Sequence, residues 1–297
     1  MNLVALIAAT LVTATPLLYA TIGELVTERA GILNLGIEGT MYAGAFGGFI
    51  MAARTGSAWL GLLAALVTGA LAGVLMGVLT VSLGVNQHVA GIGTTLLLVG
   101  ASEFSNRLLY GGGTLTQIDK FDLLFAGVPA VEMYALTLVG FAVLAPVTWW
   151  VLRSTGAGLR LRAVGENPEA ADAAGISVAG TRYAALAVGG ALMAVGGAFL
   201  TLAVLGTFTL NITNGRGWVC IALVIFARWK IWPAVAGALL FAVIDAGQLQ
   251  LAITPTFAHF PREVLIAAPY MVVILALAVS GRGLAYPGSY LKPYRRT

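Results

Sequence analysis

RSTGAGLRLRAVGENPEAADAAGISVAGTR, residues Arg153 to Arg182, is the longest polar interruption in a sequence that is otherwise apolar from end to end. Asn167 and Pro168 are typical of the N-cap and the first position of a helix, and Glu169 adds an acid to the first turn. Gly175 stands where a left-handed residue would end a helix of about two turns. The stretch therefore predicts a short helix that starts at Asn167.

The predicted helix extends to about Ile176. Its body carries side chains that are too small to build a core but could lie closely in a groove of another protein; they are Ala170, Ala171, Asp172, Ala173 and Ala174. Basic clusters beside membrane spans mark the cytoplasmic side, and the flanking arginines are Arg153, Arg160, Arg162 and Arg182. Flanking glycines would let the helix move as a unit; they are Gly156, Gly158, Gly165 and Gly180. An ordinary cytoplasmic loop with one helical turn is the alternative.

The composition excludes an ordinary soluble domain. Hydrophobic residues make up 59% of the chain and charged residues 9%, and the mean hydropathy is +0.94, whereas about a quarter of the residues of soluble domains are charged. The chain is therefore predicted to be a polytopic membrane protein. Its net charge of +4 comes from Lys and Arg in a few loops and the tail, so it indicates orientation across a membrane and not nucleic-acid binding. Cys220 is expected to be a buried thiol, and His88 and His259 lie too far apart to predict a metal site.

The first part of the chain predicts one span and then a break. Asn2 to Ala20 is long enough to cross the hydrocarbon core. Gly23 to Gly39 mixes apolar residues with glycines and charges, which predicts a broken or re-entrant element that faces the bundle interior. The charged residues of this stretch are Glu24, Glu28, Arg29 and Glu38. A plain polar loop is the alternative.

The later spans bring the prediction to about eight crossings with an external N-terminus, or ten as the alternative. They are expected at Thr40 to Ala53, Ala58 to Leu83, Val89 to Leu109, Glu132 to Leu152, Tyr183 to Leu205, Gly217 to Ala227, Ile231 to Leu251 and Val264 to Ser280. Gly69, Gly73 and Gly77 share one helix face, so that face should contact another helix. Glu103 and Arg107 are spaced for an i,i+4 ion pair.

Gly217 to Ala227 is long enough for only half of the bilayer, and half-helices of this kind line cavities in transporters. Arg228, Trp229 and Lys230 follow it, which predicts that it ends at the cytoplasmic surface with an interfacial tryptophan.

The polar residues at membrane depth are the candidates for a solute path, because such residues are costly unless they meet water or a partner. They are Asn34 and Glu38 in the expected re-entrant element, Asn211 and Asn214 before the half-helix, and Asp245 and Gln248 in the following span. A satisfied hydrogen bond between helices is the alternative for each. No nucleophile elbow, phosphate loop or catalytic pair of acids is found, so catalysis is not predicted.

Four stretches together resemble one family. They are GELVTERAGILNLGIEGTMYAGAF (Gly23 to Phe46), GLRLRAVGENPEAADAAGIS (Gly158 to Ser177), NITNGRGWVCIALVIFARWKIWPAVAGALLF (Asn211 to Phe241) and PYMVVILAL (Pro269 to Leu277). They are similar to the permease subunits of bacterial ATP-binding cassette importers, in the nucleoside and simple-sugar branch whose relatives import ribose and branched-chain amino acids. Cys220 and Ala227 stand where this resemblance leads us to expect an alanine and a glycine, and both are small.

The resemblance implies an all-α, polytopic transmembrane helical bundle of about eight to ten membrane segments, with residues 1–297 forming a single permease domain in the bacterial inner membrane. The helix from Asn167 to Ile176 would be the coupling helix that docks on a separate ATPase, and that partner would hold ATP and magnesium. No cofactor is expected on this chain. A second permease subunit, identical or related, and an extracytoplasmic solute-binding protein or lipoprotein would complete the importer.

Nucleosides are the expected solute, with a ribose-like sugar or a branched-chain amino acid as the alternative. From other classes, an ion-coupled secondary transporter or channel and a membrane-embedded enzyme remain open.

Overall fold

The computed structural model describes residues 3–111, 116–124, 133–252, 262–280, 286–292 and 294. Its helices are α1 (Leu3–Arg29), α2 (Ile37–Thr55), α3 (Ala58–Gly77), α4 (Gln87–Tyr110), α5 (Ala135–Leu138), α6 (Ala145–Ser154), α7 (Gly156–Glu166), α8 (Pro168–Ala173), α9 (Val178–Phe199), α10 (Arg216–Phe226), α11 (Ile231–Ala252) and α12 (Arg262–Ser280). Short π-helical turns extend α3, join α5 to α6 and extend α9; they are Val78–Ser82, Val139–Leu144 and Leu200–Leu205. Leu123 and Tyr134 form an isolated antiparallel bridge. The predicted all-α class is confirmed.

Among the described residues, five helical stretches are long and apolar enough to cross a membrane: Val4–Arg29, Ala58–Ser82, Ala135–Ser154, Val178–Leu205 and Ile231–Gln248. Arg216–Phe226 and Glu263–Ala278 are shorter apolar helices. The prediction of a polytopic membrane bundle is therefore confirmed, whereas the total of eight to ten segments stays a prediction.

The centre of the bundle is formed by α1, α2, α3 and α9, which pack against one another. Small residues make this close packing possible: a Cβ added at Gly44 would lie 2.5 Å from the Cα atom of Ala194. Large apolar side chains lie instead on the outer faces of α3 and α4, where Leu71 is 64% exposed and Leu96 is 70% exposed. Small residues at the closest helix contacts and leucines on the outer faces fit a bundle surrounded by lipid, because lipid solvates leucine as well as a protein core does.

The glycine face of α3 contacts α9, as predicted. A Cβ at Gly69 or Gly73 would collide with the carbonyl oxygens of Gly190 and Leu186, respectively. At Gly77 it would lie 2.6 Å from the Tyr183 ring. The three glycines thus let two backbones approach to a distance that any side chain would prevent.

The predicted end of the first helix at Ala20 is wrong. α1 has 27 residues and continues to Arg29, so the break covers only residues 30–36, before α2 begins at Ile37. Gly23 does not break the helix but allows contact with α9, since a Cβ there would lie 2.5 Å from the Gly189 oxygen. The charged side chains of Glu24, Glu28 and Arg29 are compatible with a continuous helix because each has a hydrogen-bond partner outside α1.

The predicted ion pair within α4 is not formed in the described part of the chain. Glu103 Oε1 instead accepts a hydrogen bond of 3.2 Å from the hydroxyl of Tyr42 on α2. Glu103 therefore pairs with a residue of the neighbouring helix α2 and not with Arg107 on its own helix.

Candidate translocation site and coupling region

The short helix α10 has 11 residues and is therefore roughly 16 Å long, about half of a hydrocarbon core of ~30 Å. Left-handed backbone precedes it, with φ values of 58° at Asn211, 47° at Asn214 and 79° at Gly215. Asparagine and glycine tolerate this conformation better than other residues do. The chain can therefore turn sharply and begin a helix at Arg216 with its amide groups directed into the bundle.

Glu38, in the first turn of α2, caps the start of α10. Its Oε1 accepts hydrogen bonds from Thr213 Oγ1 at 2.6 Å and from the Gly215 amide at 2.8 Å, and its Oε2 accepts one from the Gly217 amide at 2.6 Å. A Cβ at Gly217 would lie 2.6 Å from the Glu38 Cα atom, so only glycine permits this approach. A carboxylate at a helix N-terminus meets the unpaired amides and the positive end of the helix dipole. The buried negative charge is thus compensated by the half-helix itself.

The first residue of α10 forms an ion pair across the bundle. Arg216 Nη2 lies 3.4 Å from Asp245 Oδ2 on α11, and their side chains are 24% and 12% exposed. Gln248 Nε2 donates a hydrogen bond of 2.7 Å to Asp245 Oδ1. Among the described residues Gln248 Oε1 is buried and has no hydrogen-bond partner. This oxygen is therefore an acceptor open to a further donor.

Two tyrosines fix the loop before α10. The amide of Asn211 donates to the Tyr42 hydroxyl at 3.4 Å, and the Tyr270 hydroxyl donates to the Asn214 carbonyl oxygen at 2.8 Å. Asn211 Nδ2 donates to Asn214 Oδ1 at 3.2 Å. Both asparagine side chains remain exposed.

Asn34 lies apart from this group, in the break between α1 and α2. The backbone amide of Asn34 donates to Glu24 Oε1 at 2.9 Å, and its side-chain Oδ1 accepts from the backbone amide of Gly36 at 3.0 Å. The residue is buried, so its contacts hold the shape of the break.

Five of the six predicted path residues therefore meet around the start of α10, and Asn34 does not. Their role in a solute path stays a prediction. Sequence reasoning missed Tyr42 and Tyr270. Each lies inside one of the stretches that resemble the importer permeases, but nothing in those stretches indicated which hydroxyls face the half-helix.

The predicted coupling helix is present as α8, Pro168–Ala173. Asn167 Oδ1 caps it by accepting from the Ala170 amide at 3.0 Å, and Gly175 ends it with φ 81°. The amides of Gly175 and Ile176 donate to the carbonyl oxygens of Asp172 and Ala171, the two bonds of a Schellman motif. The caps predicted at Asn167 and Gly175 are present, but the helix ends at Ala173 and not near Ile176. The coupling role stays a prediction.

The face that α8 offers to a partner differs from the expected one. Ala171 is 3% exposed and packs with Val164 and Val178 of the same chain. Its side chain is therefore not part of an outer docking surface. The exposed residues of the helix and its end are Glu169, Ala170, Ala173 and Ala174.

The expectation that flanking glycines act as hinges is wrong for two of them. A Cβ at Gly158 would collide with the Val151 oxygen, and one at Gly165 with the Arg29 oxygen. These glycines permit close packing of α7 against α6 and against the end of α1. The helix pair α7–α8 is thus packed against the membrane helices at these two glycines.

Trp229 is not the expected interfacial tryptophan. It is 2% exposed, and its Nε1 donates a hydrogen bond of 2.6 Å to Glu28 Oε2. Its carbonyl oxygen accepts from Arg29 Nε and Nη2 at 3.0 and 2.6 Å. Arg228 and Trp229 adopt φ values of 52° and 55°, and the end of α1 holds this strained turn after α10.

The described ranges contain no group of three or more His, Cys, Asp or Glu side chains placed to hold a metal ion. Cys220 is buried within α10, as predicted, with its Sγ 3.7 Å from the Leu17 oxygen.

The sequence pattern of a family described as "Branched-chain amino acid transport system / permease component" matches residues 6–279. The chain belongs to this permease family. The permease is 35% identical to a putative glucose ABC transporter permease protein, TsgC13, of Haloferax volcanii, over 98% of this chain and 97% of the relative.

Two further relatives carry nucleoside names. One is the nucleoside ABC transporter permease protein NupC of Lactococcus lactis, 34% identical over 92% of this chain and 91% of its own. The other is the guanosine ABC transporter permease protein NupQ of Bacillus subtilis, which is 32% identical over 92% of this chain and 90% of the relative. No solved structure gives a significant match. The half-helix and its capping carboxylate are thus features of an ABC transporter permease.

Proposed function

We propose that this permease forms the solute path of an ATP-driven importer of nucleosides. The observation that carries the proposal is the meeting of Asn211, Asn214, Arg216, Asp245 and Gln248 at the start of the half-helix. Discontinuous helices at membrane depth place amide groups and side chains around a solute in many transporters. Amides, a guanidinium and a free acceptor oxygen suit a solute with several hydroxyl groups and ring nitrogens.

The solute class rests on the relatives. Two of those named above are described as acting on nucleosides or guanosine. A simple sugar is the second candidate, because the relative at 35% identity is described as a putative glucose permease. A branched-chain amino acid is the third, from the description of the family.

The partners belong to the same proposal. A separate ATPase carries ATP and magnesium and docks on α8, a second permease subunit completes the path, and an extracytoplasmic solute-binding protein delivers the solute. The assembly lies in the bacterial inner membrane. The exposed residues Glu169, Ala170 and Ala173 give α8 an outer face with little bulk, which supports close docking.

The test is uptake into proteoliposomes that contain the permease with the ATPase and binding protein of the same organism. ATP-dependent uptake of a labelled nucleoside, which unlabelled nucleosides inhibit and sugars or amino acids do not, is the expected result. Uptake driven by an ion gradient in the absence of ATP would refute the importer and favour a secondary transporter. Inhibition by glucose or leucine instead would retain the importer and change its solute.

The docking role of α8 is tested by Ala170→Trp, which adds bulk to the exposed face. Loss of co-purification with the ATPase, with normal membrane insertion, is the expected result. Ala157→Trp on the exposed start of α7 makes the same change away from α8 and is the matched control for bulk.

A further inference from the structure

The described residues that follow α12, residues 286–292 and 294, lie against α7 and α8 on one side and against the turn after α10 on the other. We call them the strap. It touches three of the stretches that resemble the importer permeases, although it belongs to none of them.

Ser289 fixes the strap to the last turn of α7. Its amide donates to the Gly165 oxygen at 2.9 Å, and its Oγ donates to the same oxygen at 2.7 Å. The Gly288 amide donates to Glu166 Oε2 at 3.2 Å. Ser289 is 2% exposed, so these bonds are shielded from competing water. The strap is therefore held directly before α8 begins.

Arg182 ties the same point to the membrane helices. This guanidinium, in the first turns of α9, is 2% exposed. Its Nη2 donates to Ser289 Oγ and its Nε to the Ala30 oxygen, both at 3.3 Å. A buried cation that loses one of its few acceptors is strongly destabilised. The strap, α9 and the break after α1 thus share one contact that is costly to disrupt.

Tyr294 connects the strap to α8 itself. Its hydroxyl donates to Asp172 Oδ2 at 3.0 Å, and its ring packs on the cluster of Ala171, Val164 and Val178. α8 has only six residues, so a bond to its fifth residue restrains the whole helix.

The other side of the strap holds the turn after α10. The rings of Tyr286 and Tyr290 lie 5.0 and 6.0 Å from the Trp229 ring, both edge-on, an arrangement that adds to the burial of aromatic side chains. Burial raises the pKa of the Tyr290 phenol above its ordinary value. Glu28 and Arg29 hold the same tryptophan through hydrogen bonds to its Nε1 and its carbonyl oxygen.

We propose that the strap transmits displacement of α8 to α10, with Ser289 and Tyr294 as its positioning residues. The inference rests on the proposed function, in which an ATPase moves α8. A helix of 11 residues is a stiff rod, so movement of Trp229 at its end is passed to Arg216 at its start. The ATPase contact and the candidate solute site are thereby connected through buried polar contacts and stacked rings, and not through the membrane spans alone.

The test compares ATP hydrolysed per solute imported in proteoliposomes containing the complete importer. Tyr294→Phe keeps the ring and removes the bond to Asp172. Uptake should fall roughly fivefold, the order expected for loss of one hydrogen bond, while ATP hydrolysis and the unfolding midpoint stay near those of the parent. Ser289→Ala should raise the ratio of ATP to solute further. Tyr286→Phe is the matched control, because it retains the stacking on Trp229 and should leave the ratio unchanged.

An unchanged ratio in Tyr294→Phe would overturn the proposal, whether or not Ser289→Ala folds. An equal rise in Tyr286→Phe would overturn it too, because the bond to α8 would not be the cause. Ala170→Trp separates this failure from that of the proposed function. If the strap alone is wrong, Ala170→Trp still loses the ATPase; if the importer is wrong, Ala170→Trp behaves like the parent.

Discussion

Two carboxylates near the half-helix are compensated in different ways. Glu38 receives three hydrogen bonds from the start of α10, whereas Asp245, which is equally buried, faces the cation of the partly exposed Arg216. A charge at the centre of a membrane helix costs about 2.5–3.5 kcal/mol without such partners. The first arrangement joins α2 to the start of α10, and the second joins α11 to α10 through the partly exposed side chain of Arg216.

Glu38→Gln tests the contact between Glu38 and the start of α10. The amide keeps the size of the side chain, but its NH2 group must face a donor and the charge at the helix N-terminus is lost. We expect the free energy of unfolding to fall by at least about 2 kcal/mol, since hydrogen bonds to charged groups contribute ~1.5–3 kcal/mol each. The midpoint of thermal unfolding in detergent measures it. Glu103→Gln, with one bond from Tyr42, is the control and should shift the midpoint less.

Asp245→Leu tests the ion pair between Arg216 and Asp245. It leaves Arg216 without its carboxylate, roughly 21 Å along α11 from Ile231 and thus within the ~30 Å core. We expect uptake at equal expression to fall more than in Glu103→Leu. A larger loss of uptake in Glu103→Leu would indicate that the solute path lies closer to α4.

At this scale the sequence predicted what depends on local geometry. Asn167 and Gly175 were predicted as the ends of α8 because caps are formed by neighbours in sequence. The burial of Ala171 and Trp229 was missed, since Val164, Val178 and Glu28, which cover them, come from distant or separately folded elements.

Small residues allow the closest contact in the central bundle. α3 and α9 approach through Gly69, Gly73 and Gly190, while the leucines of α3 face outward. The periodic glycines predicted this contact, because their four-residue spacing fixes one helix face. The end of α1 was not predictable in the same way, since Glu24 and Glu28 look like breakers until their partners Asn34 and Trp229 are known.

Gly73→Leu tests the α3–α9 contact. The new side chain would meet the Leu186 carbonyl group, and overpacking typically costs about 1–3 kcal/mol. We expect a lower unfolding midpoint and reduced uptake. Gly93→Leu on α4 is the matched control, because nothing lies within 4 Å of a Cβ there. Equal behaviour of the two variants would mean that the glycine face is not a close contact.

On the scale of the whole molecule, the basic segments gather at one end of the bundle. The strap joins α7 to the turn at Trp229, so Arg160, Lys230 and Lys292 belong to the same end. The segment that contains Asp119 pairs with the far end of α9, where the Ile118 amide donates to the Gly206 oxygen. Val178–Leu205 has 28 residues and spans about 42 Å as a helix, so these two ends lie on opposite sides of a membrane.

Labelling with impermeant thiol reagents in intact cells decides which side is which. The excess of Lys and Arg marks the cytoplasmic side, so Arg160→Cys and Lys292→Cys should be protected while Asp119→Cys is labelled. All three side chains are exposed in the structure, and each should react once the cells are permeabilised. The native Cys220 is fully buried and gives a low background. Labelling of Arg160→Cys from outside would place α8 on the external face, where no ATPase could reach it, and would overturn the orientation and the coupling role together. Protection of Asp119→Cys alone would contradict the topology of its loop and leave the coupling region on the cytoplasmic side.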